Sequence, residues 1–156
     1  MLSNDILRSV RYILKANNTD LARILALGNV DATPEQIAIW LRKEEEEGGF
    51  QRCPDIVLSS FLNGLIYEKR GKDEAAPALT AERRINNNIV LKKLRIAFSL
   101  KTDDILAILT GQLFRVSMPE ITAMMRAPDH KNFRECGDQF MRYFLRGLAA
   151  REHAAK

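Results

Sequence analysis

The sequence predicts an all-α protein made of two tandem, pseudo-symmetric repeats of about four helices each, packed together. Three observations carry that expectation. The stretch FQRCPDIVLSSFLNGL at 50–65 returns at 133–148 as FRECGDQFMRYFLRGL, with seven identities in the shared pattern Phe-x-x-Cys-x-Asp, five residues, Phe-Leu-x-Gly-Leu. An internal repeat of this kind outranks any local reading. Apolar residues recur at helical spacing, and no segment alternates with period two for long. The composition also favours helix, with 46% apolar and 28% charged residues and only 5 prolines and 8 glycines in 156 positions.

The first helix opens at Asn4-Asp5-Ile6-Leu7, with Ser3 or Asn4 as its cap. Leu7, Val10 and Leu14 define its apolar stripe, widened by Ile6 and Ile13. Asn17-Asn18 breaks it, because these side chains compete for backbone hydrogen bonds. Asn18 or Thr19 then caps a second helix through Leu21, Ile24 and Leu25, which Gly28 ends in the left-handed conformation. Thr33-Pro34-Glu35-Gln36 starts a third helix with a capping hydroxyl and a proline at the first helical position. Ile37, Trp40 and Leu41 are its buried face, and Arg42-Lys43 sits at its end, where positive charge suits the dipole. Glu44 to Glu47 and Gly48-Gly49 form a solvated exit. Pro54-Asp55 opens the fourth helix, whose apolar contacts are Ile56, Phe61, Leu62, Leu65 and Ile66.

Residues 72–84 (KDEAAPALTAERR) are alanine-rich without amphipathic period, and read as a linker. The second copy follows at an offset of 84, which brings Leu7 onto Leu91, Arg11 onto Arg95, Asp20 onto Asp104, Ile37 onto Ile121 and Arg42 onto Arg126. After a one-residue deletion the offset is 83, and Cys53, Asp55, Phe61 and Gly64 meet Cys136, Asp138, Phe144 and Gly147. The expected organisation is a first repeat at 1–71, a linker at 72–84, a second repeat at 85–150 and a frayed tail at 151–156. Units this small sit near the lower limit for an independent core, so each gains by packing on its copy.

No apolar run approaches the roughly 20 residues that span a bilayer, and the start lacks a basic segment followed by an apolar one. A cytoplasmic location is expected by default. The two cysteines are too few for a disulfide framework and lack paired partners for zinc; each reads as a small packed thiol. His130 and His153 have no companion at ligand spacing, and Gly28, Gly48-Gly49 and Gly111 form no phosphate loop. No catalytic residue, cofactor, metal or small molecule is implied. Asn4, Asn88, Asp20, Asp104, Asp55 and Asp138 all read as caps. Arg11/Arg95 and Arg42/Arg126 read as structural, with a bridge from Arg11 to Asp20 or Asp55 as one possibility. Gly64 and Gly147 mark close approach of another helix.

Charge separates the halves. Residues 1–70 carry 9 Lys/Arg against 10 Asp/Glu, whereas 87–156 carry 12 against 7. Such asymmetry says that the two halves face different surroundings. The candidate nucleic-acid contacts are Lys92, Lys93 and Arg95 on the fifth helix, Lys131 and Arg134 in a loop, and Arg142 and Arg146 four apart on the last helix. A helix-turn-helix fits poorly, because the connection from Gly28 to Pro34 exceeds the usual turn and the following helix exposes Glu35 and Gln36.

Asn87-Asn88-x-x-Leu-Lys-Lys-Leu-Arg95, then Asp103-Asp104-Ile-Leu, then Cys136-Gly-Asp and Phe144-Leu-Arg-Gly-Leu resembles the bacterial YehS-like family, a domain of unknown function. The resemblance implies a small cytoplasmic bacterial protein with two tandem helical domains, and it transfers no catalytic residue. The expected function is a non-catalytic binding or regulatory module that associates with nucleic acid through the basic second repeat. The alternative is a protein–protein adaptor using a groove between the repeats.

Overall fold

The computed structural model describes residues 1–45 and 48–155; Glu46 and Glu47 of the expected acidic exit lie outside the described residues. Those residues form eight helices and no strand, as the duplicated pattern predicts. The chain divides into two compact units, Met1–Ile85 and Asn86–Lys156. The first holds α1 (Ser3–Leu14), α2 (Asn18–Leu27), α3 (Pro34–Trp40) and α4 (Asp55–Arg70). The second holds α5 (Asn87–Ala97), α6 (Thr102–Gly111), α7 (Met118–Met124) and α8 (Asp138–Ala154).

Each unit is organised on its last helix. In the first, Leu58, Phe61, Leu62 and Leu65 of α4 are buried with Leu7, Leu21, Leu25 and Ile37. In the second, Phe144, Leu145 and Leu148 of α8 are buried with Leu91, Leu94, Ile105 and Ile121. Each such side chain contributes about 1.5–3 kcal/mol by leaving water. Ile56 does not join this core: it is 43% exposed, and Leu58 supplies the inward contact instead.

Gly28 and Gly64 bring α2 and α4 together. A Cβ on Gly64 would stand 2.0 Å from the Ile24 carbonyl oxygen, and one on Gly28 would stand 1.9 Å from that of Ser60. Gly28 is therefore needed for space, and its φ of −89° is not left-handed. The left-handed residue is its neighbour Asn29, and the same position in the second unit is Leu113; Lys15 and Ser99 form another such pair. The repeat has kept its backbone turns while changing the residues in them.

Several caps differ from expectation. Asn17, not Asn18 or Thr19, caps α2, with Asp20 returning a bond to the Asn17 amide. Thr33 and Ser117 cap α3 and α7 as their spacing predicts. Ser3 and Asn4 are inside α1, which begins after Leu2. The expected frayed tail is instead the end of α8, which runs to Ala154 with Arg151 reaching Asp104 at 3.4 Å.

Asn4 and Asn88 are buried cross-links. The Asn4 amide donates to the carbonyls of Trp40 and Gln51, both at 2.8 Å, and its oxygen accepts the Cys53 N–H at 2.9 Å. Asn88 repeats all three bonds, to Met124 and Arg134 and from Cys136, at 3.0, 2.9 and 2.9 Å. One asparagine thus satisfies the end of the short third helix and the loop leading to the fourth, groups that would otherwise be orphaned.

Candidate functional site

The exposed face of α8 gathers the distinctive chemistry of the second unit. Arg142 and Arg146 stand one turn apart and are exposed. Arg142 donates to Gln139 at 2.9 Å. The Arg146 guanidinium lies 5.1 Å from the centroid of the Tyr143 ring, a cation–π distance. Tyr143 in turn lies 5.3 Å from Phe114, which meets Phe140 edge to face at 6.0 Å. The arginine is therefore held over an aromatic column that continues into the core. Leu113, beside Phe114, is 95% exposed in the left-handed conformation.

The other basic candidates are differently used. Lys92 donates to the Arg126 carbonyl at 3.1 Å, closing the end of α7; Arg8 does the same for Arg42 in the first unit. Arg134 pairs with Glu120 at 3.1 Å, and its own carbonyl receives Asn88. Lys93 and Arg95 are half-buried on α5, and the Arg95 Nε is buried without a hydrogen-bond partner. Lys131 is exposed in the loop before α8. Of the seven, Arg142 and Arg146 share one exposed face; neither is ion-paired among the described residues. Arg11 is exposed and bridges neither Asp20 nor Asp55, while Arg42 donates to the Gly48 carbonyl.

The matching face of α4 is covered. After Gly71 the chain turns and runs back along the helix: Leu79 N–H donates to the Tyr67 hydroxyl at 2.8 Å, Glu82 N–H to the Ser59 hydroxyl at 2.9 Å, and Ile85 N–H to Asp55 at 3.2 Å. The Ser59 hydroxyl donates to the Glu82 carboxylate at 2.5 Å. Residues 79–85 are thus a strap on their own unit, running antiparallel to α4 from Leu79 to Glu82 and bending at Arg83-Arg84 before Ile85, and the expected linker is partly a built element. At the offset of 83, Ser59, Asn63 and Tyr67 correspond to Arg142, Arg146 and Ala150, and these three are exposed.

The paired aspartates are receivers, not caps of their own helices. Asp55 also accepts the Ser3 hydroxyl at 2.8 Å, and Asp138 accepts the Asn87 amide at 2.8 Å. That amide holds the Asp138 carboxyl below the ordinary carboxylate range. The Lys101 backbone amide does the same for Asp104, and the Ser117 hydroxyl for Glu120.

Both cysteines are buried. Loss of water, and then the charge of Asp55 or Asp138, pushes each thiol from 9.0 up to about 12. They are protonated at neutral pH and are poor nucleophiles. Because the folded pKa is raised, the folded state holds more protons than the unfolded one above pH 9. Each thiol's contribution is complete below that pH and falls by up to about 1.4 kcal/mol per unit as pH rises toward 12. Urea unfolding from pH 8 to 11 should show this decline, and Cys53→Ala and Cys136→Ala should each remove a share of it. A maleimide should label native protein far more slowly than urea-unfolded protein.

Among the described residues no cluster of three or more His, Cys, Asp or Glu could hold a metal ion, and no helix is long and apolar enough to cross a membrane. Three of the open clefts among the described residues measure about 210, 220 and 250 Å³.

Residues 3–71 and 87–153 both match the family model described as "Protein of unknown function (DUF1456)". The chain is 90% identical over 156 residues to "Uncharacterized protein YehS" of Escherichia coli (strain K12), covering 100% of this chain and 99% of that protein. No solved structure matches.

Proposed function

We propose, for a chain that belongs to the DUF1456 family of proteins of unknown function, the role of a non-catalytic cytoplasmic binding module: an adaptor that takes a negatively charged protein partner on the exposed face of α8. The observation that carries this reading is the contrast between the repeats. The helix face that a peptide strap covers in the first unit is open in the second, where arginines replace its polar residues. Protonated, buried thiols fit a binding role better than nucleophilic chemistry.

Association with nucleic acid is the second reading. It is favoured by the excess of 12 Lys/Arg over 7 Asp/Glu in residues 87–156 and by the arginine held on Tyr143, a pairing that also suits phosphates and bases. A photo-crosslinking residue at Ala150, compared with one at Tyr12 in the first unit, decides between them in living cells. Protease-sensitive adducts specific to Ala150, and lost with Arg142→Glu plus Arg146→Glu, are the expected result. Nuclease-sensitive adducts would move the assignment to nucleic acid. Absence of any specific adduct would overturn both.

A further inference from the structure

We infer that the partner of α8 is an extended acidic peptide, laid antiparallel to the helix, with two carboxylates separated by a single residue. This rests on the adaptor reading and goes beyond it by fixing the ligand's conformation, direction and spacing. The first unit supplies the template. Its strap meets α4 at Tyr67, Ser59 and Asp55 in the order Leu79, Glu82, Ile85. From Ser59 to Tyr67 eight helical residues rise about 12 Å, and from Leu79 to Glu82 three extended residues reach about 10 Å, so the two run in step ahead of the bend at Arg83-Arg84.

That register sets the spacing. Side chains two apart on an extended chain lie on one side and about 7 Å apart. Arg142 and Arg146, four apart on α8, are separated by about 6 Å along the axis. Glu82 meets Ser59, whose counterpart is Arg142; the side chain two residues earlier, at Thr80, falls at the level of Asn63, whose counterpart is Arg146. A strand bearing an acid at each of these registers places one carboxylate on each guanidinium. Arginine forms strong, charge-assisted bonds with carboxylates, and Tyr143 holds Arg146 over its ring, so less side-chain freedom is lost on binding. In the first unit the same positions are serine and asparagine, which suit a covalently tethered strap that does not need long-range attraction.

The test uses the full chain and a fluorescein-labelled peptide copying residues 76–86 with Thr80→Glu, Arg83→Ser and Arg84→Ser. Fluorescence anisotropy should show binding that weakens at least tenfold in the Arg142→Glu/Arg146→Glu protein, whose melting temperature should stay near that of the parent. Moving the new acid one residue, with Ala81→Glu in place of Thr80→Glu, keeps the charge and breaks the spacing, and should cost at least fivefold. Equal binding of the two peptides, or no effect of the arginine reversals, overturns the inference while leaving the adaptor reading to the crosslinking result. Loss of the peptide to a short oligothymidylate that binds more tightly overturns it in favour of nucleic acid.

Discussion

Asn4→Ala is expected to destabilise the first unit by about 3–5 kcal/mol, enough to unfold much of it at physiological temperature. The side chain makes three hydrogen bonds at 2.8 to 2.9 Å from a fully buried position. Removing it strands the Trp40 and Gln51 carbonyls and the Cys53 N–H, and each unsatisfied buried group costs about 1–3 kcal/mol. Asn88→Ala should do comparable damage to the second unit. Asn4→Asp is a sharper probe, because a carboxylate accepts from Cys53 but repels both carbonyls. Urea unfolding followed by circular dichroism measures the loss. A cost below about 1 kcal/mol would mean that water or a shifted backbone satisfies the three stranded groups in the folded variant.

Gly64→Ala should cost about 3 kcal/mol or more. Its new Cβ would meet the Ile24 carbonyl oxygen at 2.0 Å and the Gly28 nitrogen at 3.1 Å. These are backbone atoms, so relief requires α2 and α4 to separate and lose packing along their length. Gly147→Ala should be milder, since its nearest neighbour is the Ile108 Cγ2 at 2.6 Å, although the Ile108 oxygen at 2.8 Å also resists. Gly111→Ala serves as the control. Nothing lies within 4 Å of that position, and alanine in a helix should be neutral or gain up to about 1 kcal/mol. Thermal unfolding of the three variants should rank them in this order.

The architecture was legible because helical periodicity and a seven-identity motif are redundant signals: many residues report the same fact. Individual polar roles were not, because a single side chain reports only locally. Asn4 stands where a cap would stand, yet its partners lie 36 to 49 residues away; spacing in sequence cannot reveal them. Gly28 ends a helix, and only the proximity of the Ser60 carbonyl separates its packing role from a turn. The strap reads as a linker in the sequence because its main-chain donors bond to side chains of α4, which imposes no hydrophobic period.

The candidate site divides in the same way. Arg142 and Arg146 were visible from their spacing of four, which puts two residues on one helix face. Lys92 and Arg134 looked equivalent to them as charges, and their engagement with Arg126 and Glu120 appears only in three dimensions. The column of Phe114, Tyr143 and Arg146 was missed. Tyr143 three residues before Arg146, and the Leu113-Phe114 pair after a helix end, were its available signals. The contrast with Ser59 and Asn63 was also present in the aligned copies, but its meaning depends on Glu82 and the strap.

Asn4 sits in the first turn of its unit and bonds to residue 53, while Asp55 waits for the amide of Ile85. During translation the leading helix therefore emerges long before its partners, and the interior of the unit closes only when α4 has left the ribosome. The nascent protein must carry an incomplete interior through that interval, exposed to chaperones and proteases. A chain stopped at residue 71 would keep every buried apolar residue of this unit and lose only the covering of α4 by residues 79–85.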